Sequence, residues 1–510
     1  MPQVESINTL LSDQQQTLRD RGICVIIPTY NNAGTIVDVV RRSLQQCKDV
    51  IVVCDGCTDN TVQLLRGLET QPTIIELTTN AGKGTALKVG FKHALKEGFA
   101  YAITLDGDGQ HYPEDIATLL RANQKHPGAL IVGERKDLNR ANRSKGSKFA
   151  NGFSNFWFAA FTGVRLRDTQ TGYRLYPLKK LHGMALLTSR YEAELELLVF
   201  AAWHGVKLVS EPVNVYYPPR EERVSHFRPI KDFTRITLLN MVLFLGAILY
   251  GYPLLVLRTV WIWLRTIHAI IFFVSTTLFV MTPLVHIYLW FGKITEKKKY
   301  NLHCILNFMS RFVLYHHKIP GVTRYTEVNP HGEKFEKPAV IICNHQSHLD
   351  LMPMLSRSRK MIVLTADWVW NNPVYRFTIR NAEFLPASSG VGAIMPQLKS
   401  LVERGYSIAI YPEGTRSMDC SIGRFRKGAF HIAQELDIDI VPLIIYGSGK
   451  VLPKRGRLLR SWPMHLEIDK RISPAELRTY GDTLLAQASY MRQYYKRRYT
   501  EIANKIEQDV

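Results

Sequence analysis

Short β-branched runs, Ile23-Cys-Val-Ile-Ile-Pro28, Asp49-Val-Ile-Val-Val-Cys54, Thr73-Ile-Ile-Glu-Leu77 and Tyr101-Ala-Ile-Thr-Leu-Asp106, are separated by stretches of helical period near 35–46, 59–69 and 84–97. Strands alternating with helices predict a parallel sheet with right-handed crossovers. A second pattern of the same kind follows, with strand-like runs at 339–343, 361–364, 406–412 and 438–447 and helical stretches at 391–404 and 427–436. The chain from Leu484 to Val510 has the pattern of a charged amphipathic helix. The first twenty residues are polar with no long apolar run, which argues against a cleavable signal peptide and predicts a cytoplasmic N-terminus.

Between the two α/β patterns the hydropathy changes. Residues 236–257 and 266–292 contain no formal charge and are each long enough to cross a hydrocarbon core of roughly 30 Å. Arg220, Arg223, Arg228, Lys231 and Arg235 precede the pair, and Lys293, Lys297, Lys298 and Lys299 follow it. Basic flanks around a short connection predict a helical hairpin with both ends in the cytoplasm. Arg258 and Arg265 would then lie on the wrong side, so an interfacial, non-spanning pair of helices stays open beside buried core helices. The predicted organisation is a polar segment 1–22, an α/β domain 23–235, membrane segments 236–292, a second α/β domain 293–482 and a terminal helix 483–510.

Composition narrows this picture. At 510 residues the chain holds about three domains at roughly 150 residues each. The formal charge of +21, from 65 Lys+Arg against 44 Asp+Glu, calls for acidic partners: nucleic acid, an anionic membrane, or phosphorylated and carrier-bound substrates. Seven scattered cysteines speak against a disulfide-stapled secreted scaffold. The 46% hydrophobic fraction excludes general disorder.

Ligands of open parallel sheets bind beyond the carboxyl ends of the strands. Asp55 and Asp106 both fall on that edge. Asp106-Gly-Asp-Gly-Gln110 places two carboxylates and an amide at alternate positions, oxygen ligands suited to Mg²⁺ or Mn²⁺ held jointly with substrate phosphates. An EF-hand loop starting at Asp106 is excluded by His111 and Ala117 at its sixth and twelfth positions. Gly82-Lys83-Gly84 is neither a P-loop nor a dinucleotide fingerprint, and Cys54-Asp-Gly-Cys57 lacks the second cysteine pair of a zinc site.

Taken together, Ile27-Pro-Thr-Tyr-Asn-Asn32, Asp55-Gly-Cys-Thr-Asp59, Asn80-Ala-Gly-Lys-Gly84, Asp106 to Glu114, Gly133-Glu-Arg135, Asp168-Thr-Gln-Thr-Gly-Tyr-Arg174 and Arg223-Val-Ser-His-Phe227 resemble a family 2 glycosyltransferase of GT-A fold, on the dolichol-phosphate mannosyltransferase-like branch. The resemblance implies that Pro28, Tyr30, Asp55 and Lys83 contribute to the nucleotide-sugar site. It further implies Asp106, Asp108 and Gln110 at the metal, Arg135 and Arg174 at the phosphates, and Asp168 and Glu196 near the acceptor, where a carboxylate takes a hydroxyl proton. Cys54 and Cys57 depart from it, standing where the family usually has Asp and Ser.

In the second half, Asn344-His345-Gln-Ser-His-Leu-Asp350 follows a buried strand. His345 and Asp350 are some 140° apart on an ideal helix, so they meet only if His345 lies in the turn before it. Asp350 would then fix the imidazole tautomer while the other nitrogen takes a proton from an alcohol. A metal held by His345 and His348 is the competing reading, and lacks a third ligand beyond Asp350. With Tyr411-Pro-Glu-Gly-Thr-Arg-Ser417, Phe425-Arg-Lys-Gly428 and Val441-Pro-Leu443, the segment resembles the lysophosphatidate acyltransferase family. That implies His345 as base, Asp350 as its orienter, and Glu413, Gly414, Thr415 and Arg416 as the acyl-acceptor site. The block Phe384–Ser389 lacks the Arg the family usually places there, which argues against lysophosphatidate itself as acceptor.

The sequence therefore predicts a bifunctional, membrane-bound glycolipid-synthesis enzyme that uses a nucleotide-sugar, a lipid acceptor and an acyl carrier protein or CoA thioester. Both catalytic domains are expected on the cytoplasmic side of a bacterial-type inner membrane, with positive flanks on anionic lipid. A polyprenyl-phosphate glycosyltransferase fused to an acyltransferase is the first alternative, and one half acting as a non-catalytic lipid-binding module the second. Nucleic acid is not expected as a partner, since no reading motif is present.

Overall fold

The computed structural model describes residues 2–136, 145–184, 187–216, 229–318 and 324–508. The Arg223–Phe227 motif, Arg220 and Arg228 lie outside them. The chain divides into two compact units, 1–258 with 504–510, and 259–503.

The first unit is built on a seven-stranded sheet: β1 (Ile23–Thr29), β2 (Val50–Asp55), β3 (Thr73–Leu77), β4 (Tyr101–Thr104), β5 (Leu130–Arg135), β6 (Arg174–Pro177) and β7 (Leu208–Val213). Its order is β3-β2-β1-β4-β6-β5-β7, with β6 antiparallel to both neighbours and the other pairings parallel. β1 is buried along its whole length. Cys24 and Ile26 face one core cluster, while Ile23, Val25 and Ile27 face another. Burial on both faces is why the central strands read as continuous β-branched runs. The helices Ile36–Gln46, Thr61–Arg66 and Lys83–Lys96 supply the crossovers.

The second unit has a sheet of its own: β8 (Tyr325–Val328), β9 (Ala339–Cys343), β10 (Met361–Thr365), β11 (Leu385–Pro386), β12 (Ser407–Ile410), β13 (Asp439–Tyr446) and β14 (Met464–Ile468). The order is β11-β10-β12-β9-β13-β14-β8, with β13 and β14 the antiparallel pair. Both units are thus mixed α/β with mainly parallel sheets, as the alternation predicts.

The expected hairpin is not formed. Helical backbone continues from Pro229 to Trp290, and 258–265, expected as the connection, lie inside the helix Tyr252–Ser275. Arg258-Thr-Val-Trp-Ile-Trp-Leu-Arg265 contains charges but no Gly or Pro, and charge alone does not end a helix. Two π-helical turns, Ala247–Gly251 and Thr276–Met281, precede Pro253 and Pro283. A widened turn accommodates a proline, which lacks the N–H that an α-turn would use. The first twenty residues, read as merely polar, form a helix, Pro2–Asp20, whose Leu18 is buried. The terminal helix Leu484–Glu507 starts in the second unit, and its last residues belong to the first.

Candidate active sites

Because β1, β2 and β4 run parallel, Tyr30, Asp55 and Asp106 follow or end their strands on one edge. Pro28 is buried within β1 and Tyr30 is half-buried. Asp55 is 3% exposed, and its two oxygens accept the Ala81 and Gly82 amides, each at 2.8 Å. The carboxylate thereby shapes the turn that leads into the helix Lys83–Lys96. Gly56 packs against that turn with φ +65°, and a Cβ there would lie 2.4 Å from Asn80 N, so no larger residue fits.

Lys83 Nζ lies 2.6 Å from Asp106 Oδ1 and 2.9 Å from Glu194 Oε2. Burial opposes the ammonium charge, but the two carboxylates outweigh it and hold its pKa well above the lysine range. Gly172 makes room for this group, since a Cβ there would lie 2.7 Å from both Asp106 Oδ2 and Lys83 Nζ. Asp108 is pushed up to about 6 by burial and by Asp106 beside it. Its Oδ1 accepts the Gln110 amide at 3.0 Å. His111 is held neutral, its pKa lowered to about 4 chiefly by burial, and its Nδ1 is buried without a partner.

Four expected residues are otherwise engaged. Arg135 and Asp168, expected at the phosphates and the acceptor, bind each other in a two-pronged pair, Nε–Oδ2 2.6 Å and Nη2–Oδ1 2.8 Å. Arg174 is fully buried and donates to Tyr176 Oη and to the Glu194 and Thr169 carbonyls, so it braces β6 rather than meeting a phosphate. Glu196 accepts the Leu187 and Thr188 amides and the Thr188 hydroxyl, which fastens that loop. Glu194, missed from sequence, is the acid of this helix that faces the site. Residues two apart on a helix point about 200° apart, so Glu194 and Glu196 lie on opposite sides.

In the second unit, β9 ends at Cys343 and His345 lies in the turn before the short 3₁₀ helix His348–Asp350. His345 Nδ1 meets Asp350 Oδ2 at 2.9 Å. The same oxygen accepts the Gln346 and Ser347 amides at 2.7 and 2.8 Å, and Asp350 is fully buried. Charged acceptance of backbone amides fixes the carboxylate and, through it, the ring. Tyr411 stacks on the imidazole with centroids 4.0 Å apart, a contact between distant segments that has no local signal. Glu413 Oε1 accepts the His345 amide at 2.9 Å and Oε2 the Gly423 amide at 2.8 Å, so Glu413 ties the two loops together. Gly414 turns there with φ +69°. Lys454 binds Thr415 Oγ1 and the Arg416 carbonyl. The Ser417 amide, next to Arg416, donates to the His345 carbonyl at 2.8 Å, and burial and the neighbouring Arg416 charge lower the His348 pKa. The second unit thus joins an oriented imidazole to a cationic loop, an arrangement able to deprotonate an alcohol beside an anionic group.

Residues 24–176 match the family model for glycosyl transferase family 2, and residues 323–446 match that for acyltransferase. Polyprenol monophosphomannose synthase of Mycolicibacterium smegmatis is 32% identical over 217 residues, 39% of this chain and 79% of that protein. UDP-N-acetylglucosamine–dolichyl-phosphate N-acetylglucosaminyltransferase of Methanococcus voltae is 28% identical over 39% of this chain and 88% of that protein. The chloroplastic 1-acyl-sn-glycerol-3-phosphate acyltransferase of Arabidopsis thaliana is 31% identical over 123 residues, 23% of this chain. The chain spans about a third of that plant enzyme's length, 34%. Among solved structures, the acyltransferase PlsC of Thermotoga maritima aligns with 18% identity and a TM-score of 0.41, covering 48% of this chain and 97% of that one.

Proposed function

The chain belongs to glycosyl transferase family 2 through its N-terminal half and carries an acyltransferase domain in its C-terminal half, and from that premise we propose that it glycosylates a polyprenyl phosphate and acylates a lipid hydroxyl. The observation that carries the choice of acceptor is the Arg135–Asp168 pair. With Asp168 held by a guanidinium and Glu196 spent on a loop, neither expected carboxylate is left to take a hydroxyl proton. A phosphate acceptor is already ionised and needs no such base. The two relatives named for polyprenol and dolichyl phosphate support the same choice.

In this reading Tyr30 and the Asp55 turn border the nucleoside, and Lys83 stands at the diphosphate. A divalent cation fits the donor set in kind: Asp106 and Asp108 crowd two carboxylates together, and Gln110 adds an amide oxygen. Mg²⁺ or Mn²⁺ would be held there jointly by these oxygens and the substrate phosphates. When bound, the ion supplies charge stabilisation to the departing diphosphate. In the other half, His345 takes the acceptor hydroxyl proton as that oxygen attacks the thioester carbonyl of acyl carrier protein or CoA. Asp350 stabilises the imidazolium that forms, and the thiolate leaves.

The apolar helix seats these sites at lipid. Thr234–Trp290 is 57 residues, about 85 Å at 1.5 Å per residue, far longer than a single crossing needs. At mid-length Arg265 is buried and donates to the Leu459 carbonyl, and Ala269 packs with Val451, Leu459 and Met464. A folded domain seated on the middle of the helix keeps that middle out of the hydrocarbon. The helix therefore lies in the membrane interface, with Val260, Leu264, Ile267 and Ile271 of its exposed face toward lipid. Sugar nucleotides and acyl thioesters then reach both halves from the cytoplasm.

The test is transfer of radiolabelled sugar by membranes carrying the protein. Label in an acid-labile polyprenyl phosphate is expected, whereas label in an acid-stable glycoside would overturn the phosphate reading. Asp108→Ala should abolish sugar incorporation and spare acyl transfer, and His345→Ala the reverse.

A further inference from the structure

Cys54 and Cys57 stand on either side of the Asp55–Gly56 turn. Cys54 is the penultimate residue of β2 and is 1% exposed, while Cys57 lies beyond the turn and is half-buried. Thr29 of β1 is the register partner of Cys54, and its carbonyl accepts from Cys57 Sγ at 3.7 Å. Cys54 belongs to the core cluster of that face of the sheet, and Cys57 packs against the same cluster, so the turn brings the two thiols to one side.

We infer that Cys54 and Cys57 form a reversible disulfide across this turn, and that the closed form binds the donor nucleotide more weakly than the dithiol. The oxidant is a small-molecule disulfide such as oxidised glutathione. The Cys57 thiolate attacks one of its sulfurs and expels a thiolate, leaving a mixed disulfide. Cys54 then loses its proton and attacks Cys57 Sγ, releasing the second small thiol. The pair loses two protons and two electrons, and the small disulfide becomes two thiols.

The local chemistry favours this pair over the other cysteines. The neighbouring Cys54 thiol lowers the Cys57 pKa to about 7, which favours its thiolate as the attacking group. Cys24 and Cys343 are pushed well up by burial, and Cys47 to about 12. The consequence for the site follows from packing. A disulfide has an S–S length of about 2.0 Å, shorter than any thiol hydrogen bond, so closure tightens the turn. Gly56 has no slack against Thr79 and Asn80, and Asp55 holds the Ala81 and Gly82 amides. Movement of the turn therefore reaches Lys83 and its grip on Asp106.

The experiment equilibrates the full-length protein in mixtures of reduced and oxidised glutathione, followed by acid quench, alkylation and trypsin. Peptide 49–66 carries both cysteines and no other. It should appear two hydrogens lighter and unalkylated at ratios that leave the Cys343 peptide fully alkylated. Calorimetry with UDP and with GDP, each with Mg²⁺, should show affinity for the preferred nucleotide falling about tenfold or more on oxidation and returning with dithiothreitol. Cys57→Ser, which keeps a donor to the Thr29 carbonyl, should bind equally in both buffers. Two alkylated thiols at every ratio would overturn the inference, as would a closed disulfide with unchanged nucleotide affinity. The affinity arm rests on the nucleotide reading proposed above: a reduced protein that binds neither nucleotide would refute that reading, whereas the mass shift tests the thiol pair alone.

Discussion

Replacing Glu507 with alanine, near the end of the chain and remote in sequence from the first sheet, should destabilise that sheet. Arg21, just before β1, is 4% exposed and donates to Asn123 Oδ1 at 2.8 Å, Asn504 Oδ1 at 2.8 Å and Glu507 Oε2 at 2.7 Å. Glu507, equally buried, also accepts the Tyr101 hydroxyl of β4 on its carbonyl. Glu507→Ala removes the carboxylate that meets Arg21 and leaves the buried guanidinium on the two neutral asparagine acceptors. Breaking a buried pair from one side costs about 3–5 kcal/mol. The two asparagines remain, so the lower figure applies, and about 3 kcal/mol is roughly a hundredfold in an opening equilibrium.

Hydrogen exchange followed by mass spectrometry reports that opening peptide by peptide, without requiring a single transition for the whole chain. Amides of β1, 23–29, should exchange roughly a hundredfold faster in Glu507→Ala. Arg21→Met combined with Glu507→Leu should recover much of the loss, since it leaves no unpaired charge. If β1 exchanges at the wild-type rate in Glu507→Ala and the change is confined to the terminal helix, the pair does not stabilise the sheet and the reasoning fails.

Asp350→Asn should lower acyl transfer by about a hundredfold or more while sugar transfer is unchanged, because it removes the charge that supports a protonated His345. Gly172→Ala forces a methyl against Lys83 Nζ and Asp106 Oδ2 and should cost about 1–3 kcal/mol in thermal unfolding along with most glycosyl transfer. His303 is 3% exposed, and burial lowers its pKa to about 4. A base with a depressed folded pKa contributes stability that is intact above its unfolded pKa of about 6.5 and lost as pH falls toward 4. Acid titration of second-unit unfolding should show that slope, and His303→Leu should flatten it.

The alternation of strands and helices was legible because central parallel strands are buried on both faces; β9 begins and ends where the run Ala339–Cys343 does. Strands of the sheet's antiparallel half were not. β5 ends in Gly133-Glu-Arg135 and β6 is only Arg174–Pro177, so neither carries an apolar run of useful length. The hairpin was not legible because Arg258 and Arg265 interrupt the apolar run without ending the helix Tyr252–Ser275. Of the sites, the strand-end Asp106 and the His345–Asp350 spacing could be read, since each depends on a local turn. The pairing of Arg135 with Asp168 could not, because it depends on how distant segments meet.

Acidic residues at the two sites fall into two classes that mutation should separate. Asp55, Glu196, Asp350 and Glu413 each receive two or more backbone amides or hydroxyls and hold a loop in shape. Asp55, Glu196 and Glu413 use both oxygens, so an amide in their place offers one acceptor where two are used and leaves a buried N–H unpaired at about 1–3 kcal/mol. Asp108 differs, since it receives the Gln110 amide on one oxygen and crowds a second carboxylate beside Asp106, while Lys83 binds Asp106 and Glu194. Its charge opposes folding and is retained for chemistry. Asp55→Asn should therefore lower the thermal midpoint of the first unit, and Asp108→Asn, measured in chelator, should leave it unchanged or raise it while sugar transfer is lost. Equal destabilisation by both would mean that Asp108 is another loop-shaping carboxylate, and the assignment of reacting charge to the Asp106–Asp108 pair would fall with it.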